Sequence, residues 1–370
     1  MTALGSLKVV DFSRVLAGPF ATMLLGDLGA EVVKVEAPGG GDETRSWGPP
    51  YDERGESTYF QAVNRNKSSV VLDLRAPEDV AHVRRLLDDA DVLVENFKPG
   101  TMERFGLGFD EVHASNPGLV YCSISGFGTG AGAELSGYDL LVQALGGLMS
   151  ITGEADGDPQ KVGVALVDVL AGLYGTVGIL AALRHRDEGG TGQRVEIDLL
   201  SALLASLVNQ ASTFTLTGLV PKRMGNSHPS IAPYDLYAAG DGDIVLAVGN
   251  DRQFAGLCEA IGAPHLIADE RFATNPARVA ARQELRSELE TQFADRGAAE
   301  LAEQLKGRGV PAGTVNDIGQ AFELAEQLGL NPVVRMPRSD GTVAELVRNP
   351  IGLSATPPEY RSAPPLYPSD

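Results

Sequence analysis

The feature that most constrains the fold is an alternation of short apolar runs and helical patterns near the start of the chain. Residues 8–12 and 31–35 are short apolar runs, and residues 20–28 between them have the apolar spacing of a helix. Pro19 near the first helical position and Gly29 just past the last one are typical of helix ends. The segment therefore predicts a strand–helix–strand unit with two parallel strands.

The same alternation continues and predicts one sheet. Residues 77–87 have helical spacing, and residues 69–72, 91–94 and 119–124 have the pattern of strands. We therefore predict an α/β fold in which a Rossmann-like parallel sheet carries helices on both faces. Further along, helices are expected over residues 138–151, 169–184 and 200–216, and a strand over 194–199.

The pattern breaks over residues 218–230, which we take as a domain boundary. Beyond it, residues 243–248 predict a strand, and residues 252–261 and 285–306 predict helices, as in a smaller α+β domain. The end of the chain from Pro357 is rich in proline and is expected to be irregular. The predicted domains are a large α/β domain (1–196), a linker helix and loop (197–224), a small α+β domain (225–325) and a C-terminal segment that returns to the large domain (326–370).

Composition and charge limit the partners. The 370 residues carry a formal net charge of −19, and 43% of them are hydrophobic. This charge disfavours nucleic acid and anionic membranes, and an anionic ligand requires a local basic pocket. The first ten residues lack the charged and apolar regions of a secretion signal, and Cys122 and Cys258 lie far apart in apolar surroundings. We expect a cytoplasmic protein with buried thiols.

Asp168 is the only charged residue in the apolar run over residues 162–183. The run is long enough for a membrane helix, but four glycines and the acid in its first third argue against one. An ionised carboxylate away from water is costly unless a neighbouring group stabilises it. Asp168 can be a structural helix N-cap, or a catalytic carboxylate that the dipole of a helix over residues 169–184 keeps ionised. The residues alone leave both interpretations open.

Several common kinds of site are missing from the sequence. The turn at residues 13–19 lacks the GxGxxG of nicotinamide-binding proteins, and Glu36 alone is a weak imitation of their ribose-binding acid. The five histidines show no metal-ligand spacing, so we expect no metal. Because the glycine turn is missing, we expect no nicotinamide cofactor either. His228 lies in a loop and stays a candidate for the site. The glycine-rich residues 123–128 can line a ligand cleft or form only a turn.

Nine segments follow one another in an order that matches a known family. They are VVDFSRVLAGPFATMLLGDLGAEVVKVEAP, GDETRSWGPP, NRNKSSVVLDLR, VENFKPGTMERFGLG, SISGFGTGAG, SGYDLLVQALGGLMSITGE, VGVALVDVLAGLYG, GQRVEIDLLSALLA and MGNSHPSIAPYDLYAAGDGDIVLAVGNDRQF. Together they resemble the class III CoA-transferase family, the carnitine and bile-acid-inducible group that includes formyl-CoA transferase. The resemblance extends from residue 8 to about residue 350.

The resemblance implies an enzyme that moves CoA from an acyl-CoA donor to a carboxylic acid. Asp168 occupies the position of the family's nucleophile. It is expected to attack the donor thioester and form a mixed anhydride, after which the CoA thiolate returns to give an aspartyl-CoA thioester. An acceptor carboxylate then takes the CoA through a second anhydride. Coenzyme A enters as part of the substrate, and neither ATP nor a metal takes part.

The resemblance also assigns binding residues. The CoA-binding positions are Val15, Leu72, Arg75, Asn96, Phe97 and Arg104, and the acyl pocket takes Tyr138, His228, Gly249 and Asn250. The chain departs from the family at Pro38, where the formyl-CoA enzyme has an arginine near the CoA phosphates, and at Leu135-Ser136, where relatives often carry a basic residue. Arg14 and Arg45 are the candidates to compensate. Only Gly249 remains of a glycine loop that shields the anhydride, here Gly249-Asn250-Asp251.

The family's subunit is a ring that interlocks with a second copy, so the resemblance implies a homodimer. The long apolar helices predicted over residues 138–216 fit such burial. Two alternatives stay open, namely an α-methylacyl-CoA racemase and a CoA-binding protein without catalysis. The racemases pair their aspartate with a histidine at the position of Tyr138, so tyrosine there favours transfer, and the retained Asp168 argues against a loss of catalysis.

Overall fold

The computed structural model describes residues 2–338 and 340–367 of the chain. These residues form two compact units. The first unit comprises Met1–Leu148, Lys161–Val220 and Asn331–Asp370, and the second comprises Met149–Gln160 and Pro221–Leu330.

The helices and strands of the described residues alternate over the first half of the chain. In chain order they are β1 (Lys8–Asp11), α1 (Ala17–Asp27), β2 (Glu31–Glu36), a short 3₁₀ helix (Glu43–Ser46), α2 (Thr58–Ala62), β3 (Lys67–Val71), α3 (Pro77–Asp88), β4 (Val92–Glu95), α4 (Thr101–Arg104), α5 (Phe109–Ser115), β5 (Val120–Ser125), α6 (Asp139–Leu145), α7 (Leu148–Ile151), α8 (Leu166–Asp187), β6 (Arg194–Asp198), α9 (Leu199–Ser206), α10 (Val208–Thr217), β7 (Tyr234–Ala239), β8 (Gly242–Ala247), α11 (Asp251–Ala260), α12 (His265–Ala268), α13 (Asn275–Ala280), α14 (Arg282–Phe293), α15 (Ala298–Lys306), β9 (Ala312–Gly313), α16 (Ile318–Gln327), β10 (Val333–Pro337) and β11 (Val343–Val347).

The first unit is built on a six-stranded sheet with the order β3-β2-β1-β4-β5-β6. Every neighbouring pair in this sheet is parallel. This is the strand order of a Rossmann-type sheet, in which ligands bind beyond the carboxyl ends of the strands where the order reverses. The predicted parallel α/β architecture is confirmed, and the reversal lies between β1 and β4.

Two apolar cores cover the two faces of this sheet. Val9 and Val10 are neighbours on β1, and their side chains enter opposite cores because side chains alternate along a strand. The core on the side of Val9 includes residues of α1 and α8, and the core on the side of Val10 includes residues of α3, α4 and α5. Each fully buried aliphatic side chain stabilises the fold by about 1.5–3 kcal/mol, which explains why the strands are nearly continuous apolar runs.

The second unit is a smaller α+β structure, as predicted. Its sheet has the order β7-β8-β9, with antiparallel neighbours. The core of the unit joins this sheet to α11, α14 and α15, and it includes Ile244, Phe254, Leu289 and Leu301.

Three of the predicted continuous helices are interrupted. Residues 138–151 form α6 and α7, which are separated where Gly147 adopts a φ of 85°. Residues 200–216 form α9 and α10, whose axes differ by 84° at a break before Val208. Residues 285–306 belong to α14 and α15, and the side chain of Asp241 accepts a hydrogen bond from the Ala298 N–H where α15 begins (2.7 Å). An unbroken apolar pattern does not reveal such breaks, because the apolar spacing continues through them.

Helix α8 is the longest helix described, and its composition and length would allow it to cross a membrane. It packs instead against α1, α9, β5 and β6 of the first unit. Its 18-residue apolar window is 44% buried, so part of its apolar surface stays uncovered within one chain. Cys122, beneath it on β5, and Cys258 of the second unit are both buried and unpaired, as predicted.

The C-terminal segment of the first unit folds back onto helix α1. Beyond the antiparallel hairpin of β10 and β11, residues 348–367 form no helix or strand, as predicted from Pro357 onward. The guanidinium of Arg361 donates to the carbonyl oxygens of Gly26, Gly29 and Ala30 at 2.9, 2.8 and 2.6 Å. These carbonyls lie at the end of α1, where backbone acceptors lack helical partners. The domain boundaries predicted from the sequence stay predictions.

Candidate functional site

Asp168 lies in the first turn of α8, two residues after the helix begins at Leu166. The interpretation of Asp168 as the helix N-cap, one of the two left open, is wrong, because Ala165 occupies that position. Two N–H groups of the first turn are bound by Asp139 of α6, whose Oδ1 accepts hydrogen bonds from Val167 N (2.8 Å) and Asp168 N (3.3 Å). The Asp168 carboxyl is therefore not needed to cap the helix.

Burial, and next the charge of Asp139, raise the pKa of Asp168 from 3.8 to about 7. The sequence had suggested that the helix dipole would keep this carboxylate ionised, and that expectation fails because the cost of desolvation is larger. Asp168 consequently gains and loses its proton near neutral pH. Carboxyl groups with such shifted pKa values are concentrated in functional sites.

Asp168 lines a cavity of about 320 Å³ in the first unit. The loops after β1, β4 and β5 form much of its wall, so it lies at the carboxyl end of the sheet where the strand order reverses. Five of the predicted catalytic, CoA-binding and acyl-pocket residues line it, namely Val15, Asn96, Phe97, Tyr138 and Asp168. Ser125, Gly126, Phe127 and Gly128 also line it, so the glycine-rich segment after β5 is more than a turn.

The backbone of Val15 is strained. Its φ of 67° lies in the left-handed region, which is unfavourable for a β-branched residue and costs on the order of 1–3 kcal/mol. The Val15 N–H donates to Asp42 (3.3 Å). Lys34 forms an ion pair with Asp42 (2.9 Å) and donates a hydrogen bond to the carbonyl oxygen of Ser13 (2.7 Å). The loop between β1 and α1 is thereby fixed from behind, with Val15 facing the cavity.

Buried charges support this loop. Asp11 accepts hydrogen bonds from Ser13 N (2.9 Å) and Thr22 Oγ1 (2.7 Å) and pairs with Lys67 at 3.0 Å. Burial alone would raise the pKa of Asp11, but Lys67 and Lys34 beside it hold it at about 2. Asp11 and Lys34 could have been noticed in the sequence, because each follows directly on valines of the apolar strands β1 and β2.

Arg14 and Asn96 join the loops after β1 and β4. Asn96 accepts a hydrogen bond from Arg14 N (2.8 Å) and donates one to Arg14 O (2.7 Å). The Arg14 guanidinium lies 5.1 Å from the centre of the Phe97 ring and pairs with Glu43 at 2.9 Å. Its side chain is 45% exposed, so it is free to meet an anionic ligand.

A second cavity of about 400 Å³ shares Arg14 and Phe97 with the first. Leu72 and Arg75 line it, as does Pro38. Arg75 is exposed and pairs with its neighbour Asp73 (2.8 Å). The predicted CoA positions Leu72 and Arg75 therefore lie in a cavity that adjoins the one lined by Val15, Asn96 and Phe97.

Arg104 is the predicted CoA position that lines neither cavity as the structure describes them. Its Nη2 donates to Thr101 Oγ1 at 3.0 Å, and Thr101 lines the second cavity. Arg104 thus contacts a residue that lines the second cavity without lining it itself.

Of the two arginines proposed to compensate for Pro38, the structure favours Arg14. Arg45 donates from Nε (2.8 Å) and Nη2 (2.6 Å) to the Glu36 carboxylate, and its side chain is only 13% exposed. Arg45 is therefore already neutralised and does not line either cavity among the described residues. Glu36 is engaged in return, so it cannot imitate a ribose-binding acid.

Tyr138 is placed by a close crossing of two loops. Gly126 and Gly137 touch, and a Cβ on Gly126 would lie 2.4 Å from the Gly137 Cα. Only glycine allows this approach. Tyr138 follows directly, is 62% exposed and is the N-cap residue of α6, whose next residue is Asp139. One short segment therefore supplies both a cavity side chain and the carboxylate beside Asp168.

The other predicted pocket residues lie in the second unit. His228 Nδ1 accepts a hydrogen bond from Ser230 N (3.1 Å), and its ring lies 5.2 Å from that of Tyr234. Asn250 is the N-cap of α11, where its side chain accepts from Gln253 N at 2.9 Å. Gly249 N donates to Gln253 Oε1 at 2.9 Å. These contacts are local, and the roles of His228, Gly249 and Asn250 stay predictions.

Comparison with known proteins decides the family. The model of CoA-transferase family III matches residues 4–370. A succinate–glutarate CoA-transferase of Agrobacterium fabrum is 44% identical over 98% of this chain and 92% of its own length. A succinyl-CoA:glutarate CoA-transferase of Mus musculus is 42% identical over 91% of this chain and 77% of its own. A crystal structure of a CaiB/BaiF family protein from Brucella suis superposes with a TM-score of 0.87, at 43% identity over 99% of this chain and 96% of that one.

The chain belongs to CoA-transferase family III. The resemblance seen in the sequence is thereby confirmed, and so is the prediction of an enzyme that transfers CoA. Enzymes of this kind use CoA thioesters and carboxylic acids as substrates. Among the described residues, no group of three or more His, Cys, Asp or Glu side chains is arranged to hold a metal ion.

The sequence did not reveal two groups that lie near the carboxyl of Asp168, namely Asp139 and Tyr59. Asp139 was missed because its contact with α8 joins two separate helices. Tyr59 of α2 was missed as well, and burial followed by the charge of Asp168 raises its pKa to about 12. Tyr59 therefore stays protonated, and the ring of Trp47 lies 5.3 Å from it. No spacing in the sequence indicates either neighbour.

Proposed function

We propose that this enzyme moves CoA from an acyl-CoA to a carboxylic acid with Asp168 as its covalent nucleophile. The observation that carries the proposal is the place of the Asp168 carboxyl. It lies in the wall of a cavity that it shares with Val15, Asn96 and Phe97, at the carboxyl end of a Rossmann-type sheet. This placement suits a thioester carbon brought in by a bound CoA chain.

The first half of the reaction loads the enzyme with CoA. A carboxylate oxygen of Asp168 attacks the carbonyl carbon of the donor thioester, the carbon–sulfur bond breaks, and CoA leaves as a thiolate. The thiolate then attacks the Asp168 carbonyl carbon of the mixed anhydride. The bond to the anhydride oxygen breaks, the donor leaves as its carboxylate, and Asp168 carries CoA as a thioester.

The second half passes CoA to the acceptor. The acceptor carboxylate attacks the aspartyl thioester, which releases the CoA thiolate and forms a second anhydride. The thiolate attacks the acceptor's carbonyl carbon, and Asp168 leaves as a carboxylate. Each step exchanges one acyl bond for another of similar energy, so no external energy source is required.

The protonation state of Asp168 sets a condition on the first step. Only the carboxylate is a nucleophile, and its pKa of about 7 leaves both forms present near neutral pH. Burial destabilises this anion, so it reacts more readily than a fully hydrated carboxylate. The partly buried position also limits the access of water to the anhydride, whose hydrolysis would waste the donor.

The two adjoining cavities suggest how CoA lies. We place the nucleotide in the second cavity, near Leu72 and Arg75, and the pantetheine past Phe97 toward Asp168, because Phe97 belongs to both walls. Arg14, which also borders both, holds the phosphates, since guanidinium groups bind phosphate oxygens in a fork. The phosphates then compete with Glu43 for Arg14. Arg104 contributes charge from beyond the wall.

For the acceptor we propose a dicarboxylic acid of four or five carbons. The two similar proteins described above are named for transfer between succinate and glutarate. We further propose that the enzyme works as a homodimer, because α6, α8 and α10 of the first unit expose large apolar side chains. We also propose that it is cytoplasmic, in keeping with its two buried, unpaired cysteines.

The racemase hypothesis requires a second acid–base group opposite Asp168. No histidine is among the described residues that line the first cavity, and Tyr138 occupies the position in question. The structure therefore favours transfer over racemisation.

The proposal is tested by CoA exchange between succinyl-CoA and labelled glutarate, measured with the wild type and with Asp168→Asn. We expect the substitution to lower exchange by about a thousandfold or more, as the loss of a nucleophile does. CoA binding, measured by calorimetry, should persist in the variant, because Asn retains the shape of the site. Wild-type activity that survives in Asp168→Asn would refute the assignment. Epimerisation of a branched acyl-CoA without exchange would favour the racemase.

A further inference from the structure

The loop that borders the second cavity after β2 has little intrinsic order. Ala37, Pro38, Gly41 and Asp42 line that cavity. Between them, Gly39, Gly40 and Gly41 adopt φ values of 85°, 129° and 72°. A run of glycines in left-handed conformations loses much backbone entropy when it is fixed. External contacts are needed to hold this loop in one shape.

Tyr367, near the end of the chain, supplies such contacts. Its hydroxyl donates to Ala37 O at 3.1 Å and accepts from Gly40 N at 3.4 Å. Its ring also lies against the loop, since a Cβ added to Gly41 would come within 2.9 Å of Tyr367 Cε2. The half-buried tyrosine thus joins both ends of the glycine run.

Arg45 fixes the tail at the same place. Its Nη1 donates to Pro365 O at 3.1 Å, while its Nε and Nη2 bind Glu36 at the end of β2. The guanidinium lies 3.7 Å from the centre of the Phe60 ring and 5.6 Å from that of Tyr367. Tail, loop and strand end are therefore held by one buried ion pair.

We infer that Tyr367 is a positioning residue for the nucleotide half of CoA. The inference rests on the proposed function, which places the nucleotide in the second cavity. Tyr367 does not line that cavity among the described residues, and it acts by holding residues 37–42 in the shape of its wall. The same contacts lie outside the cavity of Asp168, so they should affect binding of CoA thioesters rather than the acyl-transfer steps.

The test compares two tyrosines of the same tail. Tyr367→Phe removes the hydroxyl that binds the loop. Tyr360→Phe is the matched control, because the Tyr360 hydroxyl lies in the same segment and accepts instead from Asn349 N (2.9 Å), far in the chain from residues 37–42. Each variant loses one hydroxyl and keeps its ring, so both are expected to fold.

Both variants are measured with succinyl-CoA and with succinyl-pantetheine, which lacks the nucleotide, using glutarate as acceptor. We expect Tyr367→Phe to raise the KM for succinyl-CoA about three- to tenfold at unchanged kcat, the effect of losing one or two hydrogen bonds. Its kcat/KM for succinyl-pantetheine should equal that of the wild type. Tyr360→Phe should leave all these constants unchanged. A chain that ends at Pro365 should repeat the effect of Tyr367→Phe or enlarge it.

The outcomes separate this inference from the proposed function. Absence of exchange and of CoA binding in the wild type would overturn both. An active wild type whose KM for succinyl-CoA is unaffected by Tyr367→Phe and by the shortened tail would overturn only the role of Tyr367. Equal losses with succinyl-CoA and succinyl-pantetheine would show a general structural effect and would also overturn it.

Discussion

At the scale of single residues, the site is governed by two carboxyl groups that approach each other from different helices. Asp139 satisfies backbone N–H groups at the start of α8, and its charge adds to burial in raising the pKa of Asp168 to about 7. Accepting these hydrogen bonds requires only an oxygen on the side chain, whereas raising the pKa of Asp168 requires its negative charge. An amide in place of Asp139 separates the two roles.

We predict that Asp139→Asn moves the acid limb of the kcat/KM profile to lower pH. In the wild type the midpoint should lie near pH 7, because kcat/KM reports the free enzyme and Asp168 must be ionised. Asparagine keeps an oxygen acceptor for α8 but removes the charge that opposes ionisation. Glu134→Gln, at an acid that lines the same cavity, is the control and should leave the midpoint in place. An unmoved or raised midpoint in Asp139→Asn would contradict the electrostatic account.

Asp168 should also lower the stability of the fold above neutral pH. Its pKa is higher in the folded chain, about 7, than its ordinary 3.8, so between these values the folded state binds the proton more tightly. The stability that the folded state gains by protonating Asp168 is therefore fully present below pH 4 and is lost as the pH rises toward 7. The free energy of unfolding of Asp168→Asn, taken relative to that of the wild type, should rise by about 1–3 kcal/mol from pH 4 to pH 8. Denaturant unfolding at several pH values measures this, and a pH-independent difference would contradict it.

The sequence located Asp168 but not the cause of its altered pKa. A lone acid in an apolar run is visible in one segment of the chain. The partnership with Asp139 depends on how α6 packs against α8, which is a tertiary contact. The same limit applies to Tyr59. Singling out Arg14 over Arg45 required the ion pair of Arg45 with Glu36, which spacing does not show.

At the scale of elements, the site depends on how closely α8 approaches α1. Gly172 is a point of close approach, because a Cβ there would lie 2.6 Å from the carbonyl oxygen of Ala17. Ala17 is the first residue of α1 and lines the cavity of Asp168. Helix contacts of this kind were not predictable, although the parallel sheet followed from the alternation of elements. Helix ends were less predictable, because α6 and α9 end within apolar patterns that continue.

We predict opposite effects for two glycine substitutions within α8. Gly172→Ala should destabilise the fold by about 1–3 kcal/mol, because the added carbon forces the helix away from α1, and exchange activity should fall with it. Gly175→Ala is the matched control, since its Cβ would meet only ordinary contacts at 3.6 Å or more. It should be neutral or gain up to about 1 kcal/mol from helix propensity. Chemical denaturation compares the two, and equal effects would contradict the close packing.

At the scale of the whole molecule, the first unit leaves large apolar side chains of three neighbouring helices exposed. The large apolar side chains exposed on α6, α8 and α10 include Leu140 (54%), Leu145 (61%), Leu173 (42%), Val177 (64%), Phe214 (56%) and Leu216 (83%). These helices are linked through α9, which packs against all three. Such exposure indicates an interface, and it supports the homodimer that we propose.

We predict that Val177→Glu weakens the homodimer. Val177 is 64% exposed in a single chain, so a glutamate there is harmless unless a partner covers it. Val347, which is 60% exposed on β11, is the matched control for the same substitution. Sedimentation at dilute concentrations should give the mass of two chains for the wild type and Val347→Glu and of one chain for Val177→Glu. A Val177→Glu protein that stays dimeric would show that α8 is outside the interface.

The architecture and the family were predictable from the sequence because they depend on patterns that extend over many residues. Alternating strands and helices fixed the parallel sheet of the first unit, and nine ordered segments indicated CoA-transferase family III. Residues of the acyl pocket were less accessible. Asn250 was selected by analogy and His228 because it lies in a loop, and the structure shows both engaged in local hydrogen bonds of the second unit.

The most direct test of the central claim is the mass of the enzyme after reaction with succinyl-CoA in the absence of an acceptor. After acid quenching, the account predicts that the protein gains the mass of a succinyl or a CoA group. Digestion should locate this gain to the peptide that contains Asp168, and Asp168→Asn should show none. A gain on another residue, or steady exchange in the wild type with no adduct at any time, would contradict covalent catalysis by Asp168.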